Sequence, residues 1–217
     1  MTIITKTIIT AAVFTLSASA SFAQNSNSSA GFYGGVEAGM GLTKDTTNDV
    51  ARAFVNGVGG AVSVTQDSSV FTGRGFAGYQ VNENFSAELG YSQSSKVTTN
   101  VSGVSGGSVA YTGKADLSYS GLDYSVLVRP SVSTGANGVF FRLGGHSLTQ
   151  TANLSITAIS TASVTLNKSG TGSLWGVGYD LPTSGKNTVR IEYTSFNGLA
   201  GGTDSQGIFS VGLIAKF

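Results

Sequence analysis

No cysteine occurs among the 217 residues, which excludes disulfides, thiolate catalysis and most structural zinc sites. A single histidine, His146, excludes any multi-histidine metal centre. Charge is scarce at 11% of residues, well under the roughly 25% of ordinary globular chains. Twelve basic residues against eleven acidic ones leave no bulk charge for binding nucleic acid. Disorder is excluded as well, because disordered chains combine low hydrophobicity with high charge and this one is 40% hydrophobic. No segment after Gln24 is long and apolar enough to cross a membrane as a helix. What fills the chain instead is 31 Gly, 31 Ser and 24 Thr, with apolar residues set between them.

Residues 1–23 read as an export signal. Lys6 supplies the positive start, Ile8 to Leu16 form a short apolar core, and Ser21-Phe22-Ala23 offers a cleavage site before Gln24. The apolar run is too short for a transmembrane anchor. Residues 24–217 then form one domain, with eleven basic residues once Lys6 is removed against eleven acidic ones. Export without cysteine fits a Gram-negative envelope.

Past Gln24 the recurring signal is period-two alternation. At the C-terminus Phe209, Val211, Leu213, Ala215 and Phe217 share one face, while Ser210, Gly212, Ile214 and Lys216 share the other. Similar patterns place eight strands near 31–43, 69–81, 84–97, 114–130, 138–150, 170–181, 188–198 and 206–217. Connections at 82–84, 131–137 and 182–187 are short and rich in turn formers. Those at 44–68, 98–113 and 151–169 are long and full of Ser, Thr and Gly, and read as loops. Short turns at one end and long loops at the other describe an all-β fold, an eight-stranded antiparallel transmembrane β-barrel. A soluble sandwich would share the alternation but not the asymmetry of its connections.

The charges set the orientation of the strands. Glu37, Arg74, Glu88, Asp123, Arg129, Arg142, Arg190, Glu192 and Lys216 all lie opposite the apolar stripe of their strand. Such a set cannot form a sandwich core but can line a lumen, where four acids and five bases nearly balance as a plug. Aromatics near strand ends, including Phe32, Tyr79, Phe85, Tyr179 and Phe217, match interface girdles.

Specific strings then carry a resemblance. Gly73-Arg74-Gly75-Phe76-Ala77-Gly78-Tyr79-Gln80-Val81-Asn82, with Ala87 to Tyr91, resembles the second and third strands of the OmpA-like transmembrane domain. Phe141 to Gly145, Thr188 to Tyr193 and Gly207 to Phe217 resemble its fifth, seventh and last strands. Because the chain ends on that last strand, it is most similar to the small barrel-only, OmpX-like members. The resemblance implies both termini in the periplasm, a lumenal salt-bridge network that includes Glu88 and Arg190, and a terminal Phe217 read by the barrel-assembly machinery. The positions that match the network's partners on the fourth and sixth strands are not charged, with Gly178 where the sixth-strand acid is expected, and Asp123 or Glu192 stands as the substitute.

Two motifs invite other chemistry. Gly73 to Gly78 spells G-x-G-x-x-G, but no helix follows to meet a pyrophosphate, so no dinucleotide and no other cofactor is expected. His146 falls late in the fifth strand, near the outer rim, where a lipid A-modifying enzyme would carry its histidine. Ser147 alternates to the opposite face and no acid flanks the pair in sequence, so a Ser–His couple is not formed. The resulting expectation is a non-enzymatic outer-membrane barrel with a structural or surface-interaction role, lipopolysaccharide around it and loops facing a host or matrix ligand. A lipid A-modifying enzyme and a narrow gated channel stand as the alternatives.

Overall fold

The computed structural model describes residues 30–217 apart from 43, 45, 46, 59, 107, 131–137, 159, 184–186, 203 and 204; the export segment expected at 1–23 lies outside these. In chain order the strands are β1 (Gly31–Leu42), β2 (Ala61–Gln66), β3 (Ser69–Gln80), β4 (Phe85–Ser94) and β5 (Val97–Val104). They continue as β6 (Ala110–Val128), β7 (Val139–Thr157), β8 (Thr161–Pro182), β9 (Asn187–Asn197) and β10 (Ser205–Lys216). Among the described residues one helix, α1 (Thr47–Val58), precedes β2, and one 3-10 turn, Leu199–Gly201, follows β9.

Eight of these strands close on themselves. β1 pairs with both β3 and β10, and β6 pairs with both β4 and β7, so the ring has no free edge. Closure satisfies every ladder hydrogen bond internally, which is the condition for crossing lipid with strands. The eight ring strands are those read from the alternation. Their outward face is a continuous apolar belt: Val36 and Leu213 stand directly opposite each other at 63% and 61% exposure. Val211 and Ile191 repeat the arrangement on the next pair, at 57% and 48% exposure. An apolar belt of this extent is stable only against hydrocarbon.

The inward face is where the core sits. Tyr33, Phe76 and Ile214 form its apolar cluster, with Phe140 and Leu127 fully buried beside it. Ile214, grouped by alternation with the polar face of β10, is therefore an inward core residue.

The three long connections are a correction to the sequence reading, because they are largely built structure. Residues 47–58 are helical, 61–66 and 97–104 are strands, and β6, β7 and β8 extend to Ala110, Thr157 and Thr161. β2 pairs with β5, β5 with the N-terminal half of β6, and β7 with β8 up to the Thr157–Thr161 pair. A five-stranded antiparallel sheet, β2–β5–β6–β7–β8, thus projects from one side of the barrel mouth. Its composition hid it: apolar residues alternate with Ser and Thr, as in Ala162-Ser163-Val164-Thr165-Leu166, and Thr is itself a good strand former.

Candidate functional site

The lumen is crossed by one network of ion pairs. Glu37 comes from β1, Arg74 from β3, Glu88 from β4, Asp123 from β6, Arg142 from β7, Asp180 from β8, and Arg190 and Glu192 from β9. Seven of the eight ring strands therefore contribute a charge.

Glu88 is the hub. Its carboxylate lies 2.7 Å from Arg190 Nη1, 2.9 Å from Arg142 Nη2 and 3.2 Å from Arg74 Nη1. The Tyr33 hydroxyl donates to it as well, at 3.0 Å. Arg74 forks onto Asp123, with Nη2 2.7 Å from Oδ1 and Nε 3.0 Å from Oδ2, and reaches Glu37 at 3.3 Å. Arg142 clasps Glu192, its Nε 2.5 Å from Oε1 and its Nη2 2.8 Å from Oε2. Arg190 forks onto Asp180 at 2.8 and 3.2 Å, and Arg129 closes the short-turn end by reaching Asp180 at 2.8 Å and Ser86 at 2.7 Å.

Planar guanidinium groups suit this work. They bond two carboxylates at once and stack on rings. Arg190 lies 4.6 Å from the centre of the Phe140 ring and Arg74 4.6 Å from that of Phe76. Arg142, Arg190, Phe140 and Leu127 are 2% exposed or less, so side chains fill the barrel at this level. Five carboxylates face four guanidinium groups here, which stabilises the charges only as a connected set.

Glu37, Arg74, Glu88, Asp123, Arg142, Arg190 and Glu192 are all part of this set. Lys216 is not; it is exposed at the short-turn rim, where it donates to Gln80 at 3.3 Å. Asp180 was missed by sequence reasoning and supplies the sixth-strand acid, two residues beyond Gly178. The reason is steric. A side chain at Gly178 would meet the Phe140 ring within 2.3 Å and the Ile191 carbonyl within 2.7 Å, so the acid must stand one inward position further along. At Gly90 a Cβ would come within 2.6 Å of Arg74 Nε and 2.8 Å of Asp123 Oδ2, so glycine there leaves room for that ion pair as it stands.

His146 lies on the lumenal face late in β7. It is fully buried, and its Nε2 donates to the Asn197 carbonyl at 2.9 Å. An acid does stand beside it: Asp123 is its direct cross-strand partner, a neighbour invisible in the flanking sequence. Ser147 is exposed on the opposite face, so no hydroxyl of that residue meets the imidazole. Above the network Leu199 and Ala200 turn into the mouth and are 8% and 2% exposed. The space beneath them is an apolar cavity of about 60 Å³ lined by Val70, Leu148, Phe196 and Leu199. Among the described residues no cluster of acids and His could hold a metal ion.

No curated protein sequence matches the chain. Among solved structures, Ail, the attachment invasion locus protein of Yersinia pestis, is similar at 11% identity and a TM-score of 0.47, covering 86% of this chain and 99% of its own. Neisserial surface protein A is similar at 15% identity and a TM-score of 0.39, covering 87% and 99%. The N-terminal barrel of Pseudomonas aeruginosa OprF follows at 12% identity and a TM-score of 0.34, covering 85% and 99%. The family model for the outer membrane protein beta-barrel domain matches residues 8–217. With that match spanning nearly the whole chain, this protein belongs to the outer-membrane β-barrel domain family.

Proposed function

We propose that the protein is a non-enzymatic barrel of the Gram-negative outer membrane, exported by residues 1–23, with a structural and surface-interaction role. The observation that carries this reading is the projecting sheet. Residues 161–169 of β8 are all exposed and pair, among the described residues, only with β7, so one side of the strand offers backbone donors and acceptors beyond the barrel. In outer-membrane barrels the longer connections lie outside the cell, which puts this edge where host cells or matrix are met. A sheet edge of this kind takes an added strand from a partner.

The test is to shorten that hairpin. Replacing residues 151–167 with an Asn-Gly turn leaves Gln150 and Lys168, which are paired in the sheet, flanking a two-residue hairpin. The shortened barrel is expected to remain SDS-resistant unless boiled and to lose binding to host cells or matrix in a whole-cell adhesion assay. Undiminished adhesion by the shortened form would remove the surface-interaction role.

Phe217 supports the assembly side of the reading. Its ring is half exposed on the lipid side, and its backbone N–H donates to the Phe32 carbonyl at 3.0 Å, next to the ring seam. A terminal aromatic so placed is accessible to the barrel-assembly machinery before the seam closes. Deleting Phe217 is expected to lower the membrane-inserted fraction in cells while leaving spontaneous folding into detergent intact. Equal insertion in cells with and without it would rule out the signal.

A further inference from the structure

The projecting sheet has two chemically opposite faces, and the register shows it row by row. Ser63, Ser102, Thr112 and Thr157 stand side by side across β2, β5, β6 and β7. The next row on the same face is Thr65, Asn100, Lys114 and Ser155. Residues one step along each strand point the other way and are apolar, as with Val64, Val101 and Ile156. The two polar rows line a concavity of about 290 Å³.

Apart from that of Thr157, which meets the Thr161 hydroxyl at 3.2 Å, their hydroxyls are available for a ligand. On the neighbouring β7–β8 hairpin the polar side chains bond one another, as in Thr149–Ser169, Thr151–Asn167 and Thr165–Asn153. Within the concavity Ser63, Ser102 and Thr112, with Thr65, Asn100 and Ser155, make no side-chain hydrogen bond to another described residue. The one ammonium, Lys114, is held by Asp116 at 3.0 Å, so the surface is almost uncharged. Donors and acceptors about 4.8 Å apart along each row suit a polyhydroxyl partner better than an anion or an apolar chain.

Position selects the source of that partner. The face continues, by unbroken alternation, the lipid-facing side of the same strands: Val126, Tyr124 and Leu122 on β6 lead to Lys114 and Thr112, and Phe141 and Leu143 on β7 lead to Ser155 and Thr157. It therefore looks outward over the surrounding leaflet, at the level of the headgroups. We propose that this concave hydroxyl face seats the sugar headgroup of a neighbouring outer-leaflet glycolipid. The proposal rests on the outer-membrane orientation given above.

The experiment uses the full mature chain in nanodiscs of three kinds: glycolipid with a complete core oligosaccharide, glycolipid reduced to lipid A, and phospholipid alone. The methyl resonances of Thr112 and Thr157 are expected to shift only in the first, while those of Val164, on the opposite face of the sheet, stay in place. The combined variant Ser63→Ala, Ser102→Ala, Thr112→Val and Thr157→Val is expected to retain roughly tenfold less full-core glycolipid per barrel, for the loss of several hydrogen bonds. Its unheated gel mobility and the lipid contacts of Val177 report separately on whether the barrel itself is inserted. With insertion intact, no shift in the full-core discs overturns the proposal, as does an equal shift in lipid A discs. Shifts given by free core oligosaccharide but not by the full-core discs overturn the membrane source.

Discussion

Glu88→Ala is expected to lower the unfolding free energy of the barrel by about 3–5 kcal/mol, the usual cost of leaving buried charges without their partner. Three guanidinium groups converge on this carboxylate, so its removal strips a counter-charge from Arg74, Arg142 and Arg190 at once. Arg190→Ala should cost less, because Glu88 keeps Arg74 and Arg142 while Asp180 keeps Arg129. The double variant should be more stable than the sum of the two single losses implies, since the direct 2.7 Å pair is then counted once. It should not return to wild type, because Arg74 and Arg142 still lack their shared acid. Urea titration in lipid vesicles, followed by the single Trp175 on the lipid face, measures all three. Additive single losses would show that Glu88 and Arg190 are uncoupled; a larger loss at Arg190 than at Glu88 would remove Glu88 as the hub.

The same arrangement bears on conduction. With Arg142 and Arg190 buried against Phe140 and the carboxylates, the wild-type barrel is expected to be closed in planar bilayers, and a steady wild-type conductance would favour the channel reading instead.

How much of this was legible in the sequence depends on whether the signal was local. Alternation is local, so the eight ring strands and the inward charges from Glu37 to Glu192 can be read residue by residue. Pairing is not local. Asp123 lies opposite His146 only because β6 and β7 pair in one particular register, and nothing in the residues flanking His146 encodes that neighbour. Asp180 was obscured for a steric reason, since the Phe140 ring takes the space at Gly178 and displaces the acid to the next inward position. The projecting sheet was obscured by composition. Ser and Thr count as loop formers when tallied, yet Val62, Val64, Val97 and Val101 alternate with them as strand residues do. There the period carried the information and the composition concealed it.

Charge placed at two heights on one face of β8 should have opposite consequences. Val177 and Thr165 both point outward on this strand, twelve residues apart, and both are exposed, at 40% in the case of Val177. Val177 sits between Trp175 and Tyr179 in the apolar belt, so Val177→Arg brings a guanidinium into hydrocarbon. A cost of about 2–4 kcal/mol is expected near the bilayer midplane, falling toward zero at the interfaces. Thr165 lies some 40 Å further along the strand at about 3.3 Å per residue, among Ser163 and Asn167, clear of the hydrocarbon. Thr165→Arg should therefore change stability by less than about 0.5 kcal/mol, as at an ordinary surface position. Urea titrations of both variants in vesicles decide the matter. If Val177→Arg is as mild as Thr165→Arg, the outward belt does not face lipid and the membrane orientation fails. If Thr165→Arg is the costly one, the projecting sheet is embedded and cannot be reached by a partner from outside.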